Sequence, residues 1–221
     1  MLFLVLFLAF AGVAAAIWLQ GFWSAAVTFV NLLLAAMIAT NFFEPVCDLT
    51  EGFGAASWTY LLDFVFLWFI FFATFGILRA ITDGISQTQV KFDLPIEMVG
   101  RSVFALLSGW LFTCFLAFTL QMAPLSSEKP LGAWDSPTAN TFLFTSPDRL
   151  WMRFMFDRSR GALARGHFSS QSHPADQALN VETFDPKAEF ALKYHERRKK
   201  FAEATDMRVV EGSGGAAATR Q

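Results

Sequence analysis

Positive charge is scarce in the first half of this 221-residue chain. No lysine or arginine precedes Arg79, and residues 1–123 hold three basic residues against seven acidic ones. A secretory signal peptide carries a basic segment ahead of its apolar core, so the small residues Ala14 to Ala16 are not expected to mark a cleavage site. The sequence therefore predicts that the first apolar run is retained as a membrane span.

Groups that commonly carry catalysis or bind metals are also few. The chain has two cysteines and three histidines, and none of them has the spacing of a metal site. It has no glycine-rich phosphate loop and no nucleophile within a known signature. Cys47 and Cys114 lie beside or inside apolar runs, so we expect free thiols. The sequence predicts a protein that is not an enzyme and holds no metal or cofactor.

Apolar runs are what the chain has in abundance, with 54% hydrophobic residues and 27 phenylalanines. The run from Trp58 to Ile81 has charges only toward its ends and phenylalanines all round a helix. About 20 such residues, rising about 1.5 Å each, cross a bilayer. We expect the other spans to pack around or beside this run. The sequence predicts an all-α membrane protein with four transmembrane helices in residues 1–123. They lie at about 2–19, 22–43, 58–81 and 99–122.

Short polar or proline-containing segments separate these spans. The connection at Gln20 and Gly21 is so short that the first two spans must form an antiparallel hairpin. Pro45, which follows Glu44, is expected to end the second span, because proline cannot continue the backbone hydrogen bonding. A polar connector from residue 82 to residue 97 is expected before the fourth span.

A few polar residues inside the spans are candidate functional positions. Asp63 is the only acidic residue within a predicted span, and Asn31 lies in the middle of the second. Intramembrane polar groups need partners and are functional candidates by default. Two interpretations stay open: hydrogen bonds that hold helices together, or a polar path for a proton or a transported solute.

Small residues in the fourth predicted span indicate close helix packing. Gly100, Ala105 and Gly109 allow a neighbouring backbone to approach, and the Ala105–Gly109 spacing is the sharpest instance. We expect this span to contribute to a homo-oligomer.

Residues 124–221, the tail, have a different composition, with fourteen of the 17 basic residues and all three histidines. Turn-forming and charged residues predict linkers, helices and a disordered end. The segments are a linker at 124–145, an amphipathic helix at 146–165, a linker at 166–184, a charged amphipathic helix at 185–205 and a disordered end at 206–221.

The first tail helix carries aromatic residues opposite arginines. Trp151 and Phe154 share one side, and Arg149, Arg153 and Arg160 take the other. Such a helix suits the surface of an anionic bilayer. Docking on the protein's own membrane domain is the open alternative. A single basic run in the second helix, residues 197–200, is expected to be a solvated face, so no nucleic-acid partner is predicted.

The positions of basic residues near the span ends predict the orientation. Arg79, Lys91 and Arg101 flank the connector between the third and fourth spans, whereas Lys129 alone lies close to a span end on the side of the termini. Basic residues near span ends favour the cytoplasm. The count places this connector in the cytoplasm and both termini outside.

Several of these features together resemble the colicin V production (CvpA-like) family of bacterial inner-membrane proteins. They are the glycine and phenylalanine at residues 21–22, the Glu44–Pro45 pair, Arg79 at the end of the third span, and the segment LPIEMVGRSVFALLSGWL leading into the fourth. The resemblance covers about residues 1–123. An acidic residue near the start of the first span, a basic residue after the turn and a glycine near Phe104 are family features that this chain lacks. The resemblance implies a multi-pass inner-membrane protein linked to colicin V export, and it implies no catalytic residue.

Three functions are compatible with the sequence. The first is a non-enzymatic inner-membrane protein that supports secretion or envelope homeostasis. The second is a small channel or transporter subunit with a polar path at Asp63 and Asn31. The third is a membrane-anchored scaffold that acts through its tail helices. The expected partners are the lipid bilayer and, at the first tail helix, anionic lipid.

Overall fold

The computed structural model describes residues 2–51, 59–86, 93–123, 145–159 and 190–196, together with residues 142, 184, 185 and 199. Helices dominate this part of the chain, and no β-strand occurs in it. The helices are α1 (Leu2–Trp18), α2 (Phe22–Glu51), α3 (Thr59–Ile85), α4 (Leu94–Met122) and α5 (Pro147–Ser159). Residues 190–196 are also helical. The prediction of an all-α protein is confirmed.

The first four helices form an antiparallel bundle with α2 and α4 at its centre. α3 packs along α2, α1 packs along α4, and α5 packs against α4. The connector end of the bundle contains the α1–α2 turn, the end of α3 and the start of α4. The tail end contains the start of α1, the end of α4 and helix α5. The candidate sites described below lie at these two ends.

Helix α3, around or beside which the other spans were expected to pack, lies at the side of the bundle. In the most apolar stretch of each helix, 11% of the residues of α3 are buried inside the protein, against 44% in α2 and 50% in α4. Small and hydroxyl-bearing residues, which permit close helix approach, are buried in α4, as at Ser108 and Gly109, whereas none of those whose burial is described in α3 is buried. Phe69, Phe72 and Ile77 of α3 are accordingly exposed. The other spans therefore do not surround this helix, and α2 packs beside it, which is the second of the two expected arrangements.

Helix α2 does not end at Pro45 but continues to Glu51. Phe43 and Cys47 lie one turn apart on either side of the proline, and both are buried in the same core cluster. Burial of this face stabilises the helix beyond the proline, which removes a single backbone hydrogen bond. The prediction that Pro45 ends the helix of the second span is therefore wrong, although the apolar part of α2 is still Phe22–Phe43.

The polar connector between α3 and α4 is shorter than predicted, because both helices extend into it. α3 continues to Ile85, where Arg79 and Asp83 form a salt bridge at 3.0 Å across one helical turn. α4 begins at Leu94, with Asp93 before it and a proline in its first turn, where the missing N–H has no cost. Glu97 also lies in this first turn, where the helix dipole favours a negative charge.

The turn between α1 and α2 requires a glycine. Gly21 has a φ of +85°, which L side chains rarely adopt. The backbone N–H of Phe22 donates to Glu97 Oε1 at 2.7 Å, so a carboxylate of α4 binds the first turn of α2. A Cβ at Gly21 would lie 3.2 Å from the same oxygen. The turn, α2 and α4 are thereby held together at the connector end.

Three helices of the described chain are long and apolar enough to cross a membrane. Their apolar stretches are Phe22–Phe43, Asp63–Ile85 and Leu94–Met122. Helix α1 is also apolar but has 17 residues, which gives it a length of about 26 Å.

Candidate functional site

At the connector end, Arg79 organises a network of polar side chains between α2 and α3. Its Nη1 donates to Thr28 Oγ1 at 2.6 Å, its Nη2 to Ser24 Oγ at 3.3 Å, and its Nε to Asp83. Both hydroxyls donate in turn to Gln20 Oε1. A half-buried arginine is thus bonded on three nitrogens by side chains of α2 and α3, and Gln20 of the turn binds the two hydroxyls of α2.

Asn31 belongs to the deeper part of this network. It is 2% exposed, and its Nδ2 donates to Thr82 Oγ1 at 2.9 Å. The Thr82 hydroxyl donates to the backbone oxygen of Arg79 at 3.1 Å. The bond therefore joins α2 to α3 inside the bundle.

A cavity of about 70 Å³ opens beside the network. Trp23 lies at its edge and donates from Nε1 to Ser86 Oγ at 2.8 Å, which ties the start of α2 to the end of α3. The lining residues are Trp23, Ser24, Val27, Arg79, Thr82, Asp83 and Ser86.

At the tail end, Asp63 has its partner in the tail. Asp63 is 8% exposed, and the hydroxyl of Tyr194 donates to its Oδ2 at 3.0 Å. Tyr194 is itself 3% exposed. The aromatic ring next to it, Phe190, stacks on Phe118 of α4 with centroids 4.8 Å apart. The helical segment 190–196 therefore covers the end of the bundle and supplies a hydrogen bond to the Asp63 carboxylate.

Helix α5 docks on the same end. Trp151 is 3% exposed and donates from Nε1 to Thr40 Oγ1 at 3.1 Å, and Met155, one turn further, is 1% exposed. Asp148, at the start of α5, is buried and accepts a hydrogen bond from Gln121 Nε2 of α4. These contacts correspond to the docked alternative for the first tail helix.

The prediction that Trp151 contacts the bilayer surface is therefore wrong, because the indole is enclosed by α2 and α4. Phe154 is half-buried and lies 5.6 Å from Trp151 between ring centroids. Arg153 is exposed and Arg149 half-buried, so contact of either with anionic lipid stays a prediction. Arg160 and the end at 206–221 lie outside the described residues. Both linkers also lie outside them, except for residues 142, 145 and 184.

The small residues of α4 pack against helices of the same chain. A Cβ on Gly109 would lie 2.9 Å from the backbone oxygen of Phe10 in α1, and one on Gly100 would lie 2.4 Å from the ring of Phe22. Ala105 is 2% exposed and clusters with Ile17 of α1. The small-residue face of α4 is thus covered by α1 and the start of α2, so self-association would need another surface.

Asp63 and Asn31 do not form one site. Asp63 lies near the start of α3, whereas the partner of Asn31, Thr82, lies near its other end. Thr82 follows Asp63 by 19 positions on the same helix, which places the two about 28 Å apart. Leu67, Phe71 and other apolar side chains fill the interior between them. This arrangement favours helix contacts over a continuous polar path for both residues.

No group of three metal-binding side chains is found among the described residues. Fold and sites together define an all-helical arrangement of the described residues, with three helices able to span a membrane and two tail segments, α5 and residues 190–196, docked on one end of the bundle. No protein-family model matches the chain, and neither does any curated protein or solved structure. The resemblance to the colicin V production family therefore stays an expectation.

Sequence reasoning missed the Arg79 network and the role of Tyr194. Arg79 was visible as the first basic residue of the chain, and the hydroxyls of Ser24 and Thr28 recur one turn apart on α2. Phe190 and Tyr194 form an apolar stripe at helical spacing, which was a signal for docking. Nothing in the sequence indicated that Asp63 would be the residue they cover.

Proposed function

We propose that this chain is a non-enzymatic integral membrane protein of the bacterial inner membrane. In this proposal α1 to α4 all span the bilayer, and the protein supports secretion or envelope homeostasis, as the resemblance to the colicin V production family implies. The paired polar groups at both ends act as structural contacts between helices rather than as a transport path.

The observation that carries the membrane assignment is the apolar outer surface of the bundle. Phenylalanine, leucine and isoleucine side chains cover the outside of α1, α3 and α4 at exposures that would be costly in water. A bilayer solvates such a surface. Examples are Phe7 and Leu8 in α1, Phe69 and Phe72 in α3, and Val99 and Leu106 in α4.

The packing of α1 supports a fourth span. Its two ends contact the two ends of α4: Leu6 clusters with Ala117, and Trp18 donates from Nε1 to Ser102 Oγ at 3.1 Å. A helix that runs beside α4 from Ser102 to Ala117 lies at the same membrane depth as that part of α4. Its length of about 26 Å is a few ångströms short of the hydrocarbon layer, which local thinning of the bilayer accommodates.

Exposed arginines on α5 favour a second role at the tail end. Arg153 and Arg158 are on the surface of the docked helix, and the guanidinium of Arg158 lies 5.8 Å from the ring of Phe154. A basic surface at this level suits anionic lipid headgroups. The tail then acts as a membrane-anchored scaffold without leaving the bundle.

The test of membrane insertion is extraction of the full chain from bacterial membranes at alkaline pH. We expect the protein to stay with the membrane pellet in sodium carbonate, because four apolar helices do not leave lipid for water. A peripheral membrane protein in the same sample is the control for complete extraction. Release of the chain into the soluble fraction would contradict the proposal.

A further inference from the structure

The side chains that join the helices at the connector end leave a cavity between them. It lies between α2 and α3, and its volume of about 70 Å³ suffices for about five water molecules. Its lining combines a cation, an anion, hydroxyl groups and an indole. Although Arg79 and Asp83 pair with each other, this lining matches a ligand with charges of both signs.

Arg79 retains hydrogen-bonding capacity toward this cavity. A guanidinium has five N–H groups. In Arg79, one N–H group on each nitrogen donates to a described residue: Nε to Asp83, Nη1 to Thr28 and Nη2 to Ser24. One N–H on each of the two terminal nitrogens has no acceptor among the described residues. Either N–H group can donate a charge-assisted hydrogen bond to a phosphate oxygen.

Asp83 supplies the complementary charge. Its carboxylate lies 3.0 Å from Arg79 Nε, and its side chain is 59% exposed, against 31% for Arg79. An incoming ammonium group therefore has access to the carboxylate beside the phosphate position. Because Arg79 and Asp83 are the cation and the anion of the described lining, a ligand with no net charge matches it better than an anion.

We propose that this cavity binds a phosphoethanolamine group, with the phosphate on Arg79 and the ammonium on Asp83. The source favoured by the structure is the headgroup of a phospholipid. The site lies at one end of the bundle beside Trp23, whose indole is 38% exposed, and indoles at the ends of spans favour the headgroup layer. A quaternary choline ammonium fits less well, because it cannot donate a hydrogen bond to the carboxylate of Asp83. This inference rests on the membrane insertion proposed above.

The test measures lipid binding to the full chain in detergent by native mass spectrometry. The probes are phosphatidylethanolamine, phosphatidylcholine and phosphatidylglycerol with identical acyl chains. We expect phosphatidylethanolamine to bind about tenfold more tightly than the other two, as the loss of one charge-assisted hydrogen bond implies. Equal binding of the three lipids, or tighter binding of phosphatidylglycerol, would overturn the proposal.

Variants assign the binding to the cavity. Arg79→Gln should weaken phosphatidylethanolamine binding about tenfold, whereas Arg101→Gln, at the same end but stacked on Trp18 at 4.2 Å, should leave it unchanged. Because the Asp83 side chain is exposed, Asp83→Asn should not affect folding. It should remove the preference for phosphatidylethanolamine over phosphatidylcholine. Equal effects of Arg79→Gln and Arg101→Gln, or an unchanged preference in Asp83→Asn, would contradict the assignment.

Soluble phosphoethanolamine distinguishes the source of the group. If soluble phosphoethanolamine binds as tightly as the lipid and its binding depends on Arg79, the chemistry of the site is supported but its ligand is a free metabolite. Arg79-dependent binding of the lipid alone supports the headgroup. Carbonate extraction keeps this result separate from the proposed function: a chain that remains in the membrane but shows no Arg79-dependent binding contradicts only the cavity assignment.

Discussion

Replacing Trp151 with alanine is expected to release α5 from the bundle. The indole is 3% exposed, packs edge-on against Phe115 with centroids 5.7 Å apart, and donates a hydrogen bond to Thr40. Truncating a buried tryptophan costs about 3–5 kcal/mol. Met155 and the hydrogen bond from Gln121 to Asp148 remain, and the loss raises the population with α5 undocked by about two orders of magnitude or more. The measurement is hydrogen exchange of the α5 backbone amides in the full chain, which should become much faster.

The matched control is Leu150→Ala, one residue earlier on the same helix. Leu150 is 46% exposed, so its truncation should change stability by no more than about 0.5 kcal/mol. If α5 instead lay on the bilayer surface, the exposed leucine would matter as much as the tryptophan. Equal protection in Trp151→Ala and the unmodified chain would show that the docked geometry is not maintained.

Replacing Gly109 with valine is expected to separate α1 from α4. The added Cβ would lie 2.9 Å from the backbone oxygen of Phe10 and 3.2 Å from Ala14 Cβ. A backbone atom cannot turn aside as a side chain does, so the helices must move apart. Overpacking of this kind costs about 1–3 kcal/mol. The free energy of unfolding in mixed detergent micelles measures the effect.

Gly76→Val in α3 is the control for this substitution. A Cβ at Gly76 meets no atom within 4 Å, while the change in helix propensity is the same as at Gly109. We expect its effect to stay within about 0.5 kcal/mol. Equal destabilisation by the two variants would mean that α1 does not pack against α4 at Gly109.

The apolar runs were sufficient to predict the long helices, and the small residues of the fourth span were sufficient to predict a close approach of helices at Gly109. It was not sufficient to predict which neighbour approaches. Close approach at a glycine looks the same in sequence whether the partner is α1 or a second copy of α4. The bundle uses α1, because the short turn at Gly21 and the bond from Phe22 to Glu97 bring the start of α2 and the end of α1 to α4.

The most apolar helix was the least informative about the interior. Apolar residues all round α3 predicted a span, yet they gave no preferred face for packing. The helices at the centre were instead marked by hydroxyls, such as Thr40 of α2 and Thr113 of α4. Each donates to the carbonyl one turn before it within its own helix, which satisfies the hydroxyl without a solvated partner.

The position of the tail depended on contacts between residues far apart in the chain. The amphipathic pattern of α5 is the same for a helix that docks on a bilayer and for one that docks on protein. The pairing of Tyr194 with Asp63 spans 131 residues, and no local pattern encodes such a pair. For this reason the sequence could name Asp63 as a candidate but not identify its partner.

The most direct test of the four-span bundle is the side of the membrane on which single cysteines react with an impermeant maleimide. Leu19, Ile85 and Leu192 are 78%, 80% and 50% exposed, and each is replaced by cysteine in a chain whose buried Cys47 and Cys114 are changed to alanine. An epitope at the N-terminus reports the start of α1. We predict that cysteines at 19 and 85 react on one side, the cytoplasmic side by the charge count, and that the epitope and residue 192 are accessible on the other. Accessibility of the epitope and residue 19 from the same side would contradict the four-span bundle.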